Sequence, residues 1–239
     1  MTLDDLPIDV DQEGGIVVLM VTCNKFKQVW DPFFTLFHRY WPDCPYHLAM
    51  VTDIGTHTGA GSVIARGWDE SWASNLLNAL RKLDVDRLIV FQEDFLLTAP
   101  VDTGMVRKLV RYSRDNDVGC LRLCPCPGPT GQWKDEFLGT IGSNDPYRVS
   151  LQLAIWDRLT LMDLIREGES AWDLESKGGE RSRLCRKPFL SLWRQPDDTP
   201  GGPIRYFITA VTRGVWERGA LELLRCEGIP MDGITRVIP

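Results

Sequence analysis

Residues 16–21, Ile16-Val17-Val18-Leu19-Met20-Val21, form a continuous apolar run that suits a β-strand covered on both faces. Residues 29–40 then place apolar side chains at Val29, Phe33, Phe37 and Tyr40, the spacing of a helix with one buried face. The pattern repeats. Residues 46–51 predict a second strand, 72–83 a helix with Leu76, Leu77, Leu80 and Leu83 on one side, and 88–91 a third strand. Asp102 is placed to cap a further helix that buries Met105, Val106, Leu109 and Val110 and turns Arg107, Lys108, Arg111 and Arg114 to solvent, before a fourth strand at 118–123. Strand and helix alternate, which predicts an α/β domain whose central sheet is mostly parallel and flanked by helices.

The polar residues that interrupt this pattern fall at the carboxyl ends of strands. Thr22-Cys23-Asn24 follows the first, Thr52-Asp53 the second, and Gln92-Glu93-Asp94 the third. In an open α/β sheet the ligand crevice lies outside those ends, so the three clusters are expected to converge. Singly, Asn24 and Asp53 are ordinary turn formers or helix caps. Beside Glu93 and Asp94 they gain a functional meaning, because adjacent carboxylates at the end of a core strand are costly unless solvated, hydrogen-bonded or bound to a cation.

The 239 residues, 44% apolar and 25% charged, suit one globular domain. A net charge of −6 argues against a dedicated nucleic-acid-binding protein, which needs a basic balance to hold phosphates. Residues 1–15 carry no basic-then-apolar leader pattern and no apolar run is long enough to cross a bilayer, so a cytoplasmic protein is expected. Seven cysteines, at 23, 44, 120, 124, 126, 185 and 226, lack the paired spacings of a disulfide framework or a zinc site, which predicts reduced thiols. No G-x-G-x-x-G follows the first strand, and no phosphate loop, G-x-S-x-G elbow or H-E-x-x-H pair occurs. The glycine-rich stretch 55–61 follows the second strand and predicts a mobile loop, a lid near the crevice.

Taken with the strand that ends in Gln92-Glu93-Asp94-Phe95 and the helix that starts at Trp72, three later stretches carry a family resemblance. They are Tyr147-Arg148-Val149-Ser150-Leu151-Gln152-Leu153-Ala154-Ile155-Trp156, Ser170-Ala171-Trp172-Asp173-Leu174-Glu175, and Tyr206 through Ala210-Val211-Thr212-Arg213-Gly214-Val215-Trp216. Over most of residues 15–217 the chain resembles nucleotide-sugar-dependent glycosyltransferases of the GT-A fold, especially small bacterial polysaccharide enzymes. The resemblance implies one GT-A-like domain over 1–239, with a nucleotide-binding half at about 15–123 and an acceptor-binding half at about 124–239. It also implies a nucleotide-sugar donor and a saccharide or lipid-linked saccharide acceptor.

In that family a D-x-D motif holds Mn²⁺ or Mg²⁺ against the donor diphosphate. Here Gln92 stands in place of the first acid, Asp94 is the residue carried over as metal ligand, and Glu93 is a second candidate. The alternative for both is pairing with nearby arginines. By the same resemblance Glu175 is the base that takes the acceptor proton and Asp173 its neighbour or an acceptor-binding group. The residues alone also permit a plain helix start, whose dipole favours acids.

Residues 149–155 alternate as a strand with one buried face, from which Gln152 would meet donor or acceptor sugar; Trp172 offers a ring face to a sugar, whereas Trp156 reads as core. Arg213, a charge delivered by a strand with Gly214 beside it, is assigned with Thr22, Asn24, Asp53 and Glu93 to the donor and its diphosphate. Within the segment 176–203, residues 176–194 carry Lys177, Arg181, Arg183, Arg186, Lys187 and Arg194 against Glu180 alone, and a Pro/Gly-rich stretch follows at 196–203. It predicts a basic mobile loop, suited to a peripheral membrane contact at the inner face or to an anionic acceptor. Two other functions fit the same residues: a nucleotidyltransferase of related fold, which would want a glycine-rich basic loop after the first strand where Cys23-Asn24-Lys25 supplies only Lys25, and a non-catalytic nucleotide- or sugar-binding module.

Overall fold

Ile16–Val21 forms strand β1, with all six side chains buried. Its neighbours alternate between two hydrophobic layers: Val18 and Met20 face one, Val17, Leu19 and Val21 the other. A continuous apolar run is what a strand covered on both faces requires. The computed structural model describes residues 14–65, 67–68, 70–193 and 202–231.

After β1 a 3-10 turn, Asn24–Val29, leads into α1 (Trp30–Tyr40), β2 (His47–Thr52), β3 (Ser62–Ala65), α2 (Trp72–Lys82) and β4 (Arg87–Gln92). There follow β5 (Leu96–Leu97), α3 (Thr103–Asp115), β6 (Cys120–Arg122), β7 (Gly131–Gln132), β8 (Leu138–Thr140), β9 (Ala154–Asp157) and α4 (Arg158–Leu164). Next α5 (Ala171–Asp173) runs through a π turn, Leu174–Gly178, into α6 (Gly179–Ser182). The chain closes with β10 (Phe189–Leu192), β11 (Tyr206–Phe207), the β12 (Val211–Thr212) to β13 (Val215–Trp216) hairpin, and α7 (Arg218–Cys226).

Nine strands make one sheet in the order β3-β2-β1-β4-β9-β6-β10-β8-β7. β3, β2, β1 and β4 are parallel to one another, and β10 is parallel to β6. β9 runs antiparallel between β4 and β6. The sheet is mixed α/β and mostly parallel, as the alternation of elements predicts. Buried residues of α1, α3 and α7 share one layer with Ile89 and Phe91 of β4. Those of α2 and α4 share the other with Leu88 and Val90. On the first face Phe33 and Phe37 set their rings edge-on to Phe91, 5.8 and 5.9 Å between centroids, the arrangement aromatic quadrupoles favour. Ser71 caps α2 and Asp102 caps α3 by accepting the backbone N–H three residues on, at 3.0 and 2.9 Å.

The structure departs from the sequence expectations at several points. The 55–61 stretch is followed by β3, an edge strand that the sequence pattern did not announce. Arg107, Lys108, Arg111 and Arg114 on α3 are half-buried rather than turned fully to solvent. The strand expected at 149–155 begins only at Ala154, and all four residues of β9 are buried because the strand lies between two others. Trp156 is core, as expected.

The segment 176–203, expected as a loop, supplies the end of a helical stretch and the inner strand β10. Three of its basic residues are locally compensated: Lys177 pairs with Asp173 and Arg181 with Glu169, while Lys187 meets both Asp117 and Asp157. Arg194 and residues 196–201 lie outside the described residues, as do residues 1–13. None of the seven cysteines is in a disulfide.

Candidate active site at the carboxyl edge of the sheet

Because β1, β2 and β4 are parallel neighbours, their polar carboxyl ends meet. Thr22 donates its backbone N–H to Val51 at 2.9 Å, and the Trp30 indole donates to the Thr22 hydroxyl at 2.8 Å. Asp53 Oδ1 accepts the Asn24 backbone N–H at 2.7 Å and the Thr52 hydroxyl at 2.9 Å, which ties the end of β2 to the turn after β1. Burial alone would raise the Asp53 pKa, but donors from Asn24, Ile54 and Thr52 outweigh it and hold the carboxyl below its ordinary value. Asp53 is therefore a fixed anion.

Gln92 ends β4, and its Oε1 accepts the Trp72 indole N–H at 3.2 Å, while its amide nitrogen has no hydrogen-bond partner among the described residues. The next two carboxyls are strongly perturbed. Burial, then the charge of Asp94, pushes Glu93 up to about 8 against a hydrogen bond from the Thr22 side chain. Burial pushes Asp94 up to about 6, opposed by the Val211 backbone N–H at 3.4 Å from its Oδ2. Neither forms an ion pair with a basic residue among those described.

Two adjacent acids made hard to ionise, with no cation beside them, fit a divalent metal. Such an ion favours their charged forms and takes its other ligands from phosphate and water. Among the described residues no group of three His, Cys, Asp or Glu would enclose a metal on its own.

A pH dependence follows. Both carboxyls bind their proton more tightly in the folded chain than in the unfolded one. The stability they lend is full below the ordinary carboxylate range and is lost as pH climbs through about 6 for Asp94 and about 8 for Glu93. Thermal unfolding with chelator is expected to show a midpoint that falls over this window. Glu93→Gln should flatten the fall, and Mn²⁺ should restore more stability at the alkaline end than at the acid end. A loss of about 1 kcal/mol moves the midpoint by about 2–4 °C in a chain of this size. A Mn²⁺ effect independent of pH would contradict the assignment.

The later motifs build a second group of residues. Glu175, in the π turn, accepts the Leu151 backbone N–H at 2.8 Å and lines an open cleft of about 540 Å³ with Tyr147, Trp172 and Arg183. Asp173 is engaged otherwise. It closes a capping box with Ser170 and pairs with Lys177 at 2.7 Å, and those contacts hold its carboxyl far below the ordinary value. Gln152 Oε1 accepts the Tyr206 hydroxyl at 2.7 Å, and the Tyr206 ring packs 4.8 Å from Phe95, the residue after Asp94.

Arg213 is exposed at the tip of the β12–β13 hairpin, where it and Gly214 both adopt positive φ, +53° and +81°, as tight hairpin turns require. Val211, two residues before it, is the donor to Asp94. The structure thus bonds Asn24 to Asp53 and Thr22 to Glu93, the neighbour of Asp94, and ties Gln152 through Tyr206 to Phe95. Glu175 and Trp172 share the cleft, and Asp173 is turned into its own helix cap.

Sequence reasoning missed Asn75. It is 2% exposed with both amide atoms unpartnered among the described residues, three residues after Trp72 and so on the same side of α2. That spacing from a Trp that meets Gln92 was its available signal. It likewise missed Tyr206 as the partner of Gln152, a contact between residues far apart in the chain.

No protein-family model matches the chain, and no curated protein matches it. Among solved structures, residues 1–349 of S. aureus TarS match with a TM-score of 0.52 and 12% identity, over 88% of this chain and 63% of that one. The mannosyltransferase PcManGT from Pyrobaculum calidifontis, in complex with GDP-Man and Mn²⁺, matches with a TM-score of 0.53 and 14% identity, over 88% of this chain and 61% of that one. The chain therefore spans less than two thirds of the length of either structure. At this identity the likeness concerns architecture alone. The chain has a GT-A-like fold, the fold its sequence motifs resemble.

Proposed function

We propose that this protein is a glycosyltransferase that moves a sugar from a nucleotide-diphosphate sugar to a saccharide or glycolipid acceptor. The observation that carries the reading is the half-buried Glu93-Asp94 pair at the end of β4, with Glu93 bonded to the Thr22 side chain and Asp53 held as a fixed anion by the Asn24 N–H two residues further on. A fold neighbour that is a mannosyltransferase seen with GDP-Man and Mn²⁺ supports it.

In this reading Asn24, Asp53 and Thr22 hold the nucleoside side of the donor. Asp94 and Glu93 hold Mn²⁺ or Mg²⁺, which when bound neutralises the departing diphosphate. Arg213 lends a further positive charge to that diphosphate from the hairpin tip. Glu175 takes the proton of the acceptor hydroxyl, fixed in orientation by the Leu151 N–H it accepts. Gln152 and Trp172 contact the sugars. The family resemblance supports a role in bacterial surface-polysaccharide assembly, and the basic segment supports contact with the inner membrane face from the cytoplasm. Among the described residues no helix is long and apolar enough to cross a membrane, so contact there would be peripheral.

The test is a thermal-shift screen of nucleoside diphosphates and nucleotide sugars, each with Mn²⁺ and with chelator, since a ligand of the folded state raises the midpoint. The expected result is a metal-dependent shift selective for one base; no shift with any nucleotide would sink the reading. Gln92 in place of an acid favours a second reading, a nucleotide- or sugar-binding module without turnover. Donor binding with no hydrolysis or transfer, across metals and acceptors, would select that module.

A further inference from the structure

Tyr147 occupies the left-handed region, φ +53°, and its side chain is 60% exposed. A bulky residue rarely adopts that backbone, and strain of this kind persists only where the surroundings impose it, as they do at ligand clamps. The imposing group is Arg122. Its guanidinium donates to the Tyr147 carbonyl at 2.7 Å, to the Pro127 carbonyl at 2.5 Å and to the Arg148 carbonyl at 3.4 Å. Arg122 is 1% exposed and has no carboxylate partner within ion-pair distance among the described residues. An unpaired buried cation is expensive, so a fold that keeps one gains something from its donors. Here they fix two loops. Arg148 steadies the same loop from below, with its guanidinium 4.1 Å from the Phe189 ring centre and a hydrogen bond to the Ile141 carbonyl.

Trp172 lines the same cleft, 77% exposed at the start of α5, on a helix end locked by the Ser170–Asp173 capping box and by the Glu175 contact to Leu151. The cleft is about 540 Å³, within the range of about 300–1,000 Å³ typical of small-molecule sites, and its other walls include Asp145, Glu175, Glu180 and Arg183. Exposed aromatic faces with carboxylates around them suit a pyranose, whose C–H face lies on a ring while its hydroxyls donate to acids. Three carboxylates would repel a nucleoside diphosphate, and so many charges would not receive an acyl chain.

We propose that Tyr147 and Trp172 form an aromatic clamp for a pyranose ring of the acceptor, with Arg122 as the positioning residue that holds Tyr147 in place. This rests on the glycosyltransferase reading, because it is Glu175 on the cleft wall that makes the bound sugar an acceptor.

Saturation-transfer NMR tests it, with methyl glucoside, galactoside, mannoside and N-acetylglucosaminide and their β-linked dimers as probes. A parallel arm measures the thermal shift given by nucleoside diphosphates with Mn²⁺. The wild type should transfer saturation to ring C–H protons of at least one probe. Trp172→Ala and Tyr147→Ala should weaken that binding by about tenfold or more, Tyr147→Phe should retain it, and all should keep the nucleotide shift. Arg122→Lys, which retains charge but not the forked donor set, should weaken saccharide binding without moving the nucleotide shift. Should Tyr147→Ala fail to fold, Tyr147→Gly gives the same readout with no side chain to strain.

No contact with any probe, or equal contact in the alanine variants, overturns the clamp and leaves a nucleotide shift to support the donor reading alone. Saccharide contact with no nucleotide shift removes the acceptor role and overturns the proposal as stated. Loss of binding to phosphatidylglycerol vesicles in Trp172→Ala, with saccharide contact unchanged, overturns it in favour of a membrane surface.

Discussion

Asp94→Asn is expected to lower metal-dependent sugar transfer by about 10²–10³-fold, the scale on which removal of one preorganised electrostatic partner of a reacting charge is felt. The substitution is nearly isosteric. It leaves an oxygen to accept the Val211 N–H and so spares the anchor of the β12–β13 hairpin. What it removes is charge, at the one position where the acid of the motif is retained in its second place. Donor turnover measured with Mn²⁺ and with chelator should show the two rates converging in the variant. Because the charge of Asp94 is one of the causes that push Glu93 up, the variant should also lose less stability with rising pH than the wild type does. Turnover at the wild-type rate, still stimulated by Mn²⁺, would remove Asp94 from the metal site.

Glu175→Gln is expected to spare donor binding and lower transfer by about 10²–10⁴-fold, the usual contribution of a positioned general base. The amide keeps a carbonyl oxygen for the Leu151 N–H, now 2.8 Å from Glu175 Oε1, so the loop that carries Gln152 stays where it is. Only the capacity to take a proton is lost. Nucleotide thermal shifts equal to wild type, together with a fall in kcat at unchanged donor KM, are the signature of a group used after the donor is bound. If transfer survives, the base lies elsewhere and Glu175 is a loop anchor. Asp173 is a poor substitute because its oxygens are committed to Ser170 and Lys177.

The side proposed to hold the donor was legible in the chain because it is built from local signals. The apolar runs of β1, β2 and β4 mark strand ends to within a residue or so, and parallel strands bring those ends to one edge, so Asp53, Glu93 and Asp94 could be grouped without knowing any contact. The acceptor side was not legible to the same depth. Its strands are mostly two to four residues long, too short to show a period, and a π turn interrupts the spacing of the helix that carries Glu175. Its decisive contacts, Leu151 to Glu175, Gln152 to Tyr206 and Arg122 to Tyr147, join residues 24, 54 and 25 positions apart. Arg122 shows the difficulty well. Within Cys120-Leu121-Arg122-Leu123 it looks like the polar face of a strand, and only burial on both sides of the sheet makes it an interior cation.

The antiparallel insertion of β9 also governs how the chain comes together as it is made. β4 is complete at residue 92, yet the strand that covers its free edge ends at residue 157, and β6, though made earlier, pairs with β9 rather than with β4. At synthesis rates of about 5–20 residues per second, the apolar edge Leu88-Ile89-Val90-Phe91 stands open for roughly 3–13 s on the ribosome. An uncovered hydrophobic edge is a template for pairing with other chains. A chain cut short before residue 154 would keep that edge for good, and its fate is aggregation rather than a stable half-sheet.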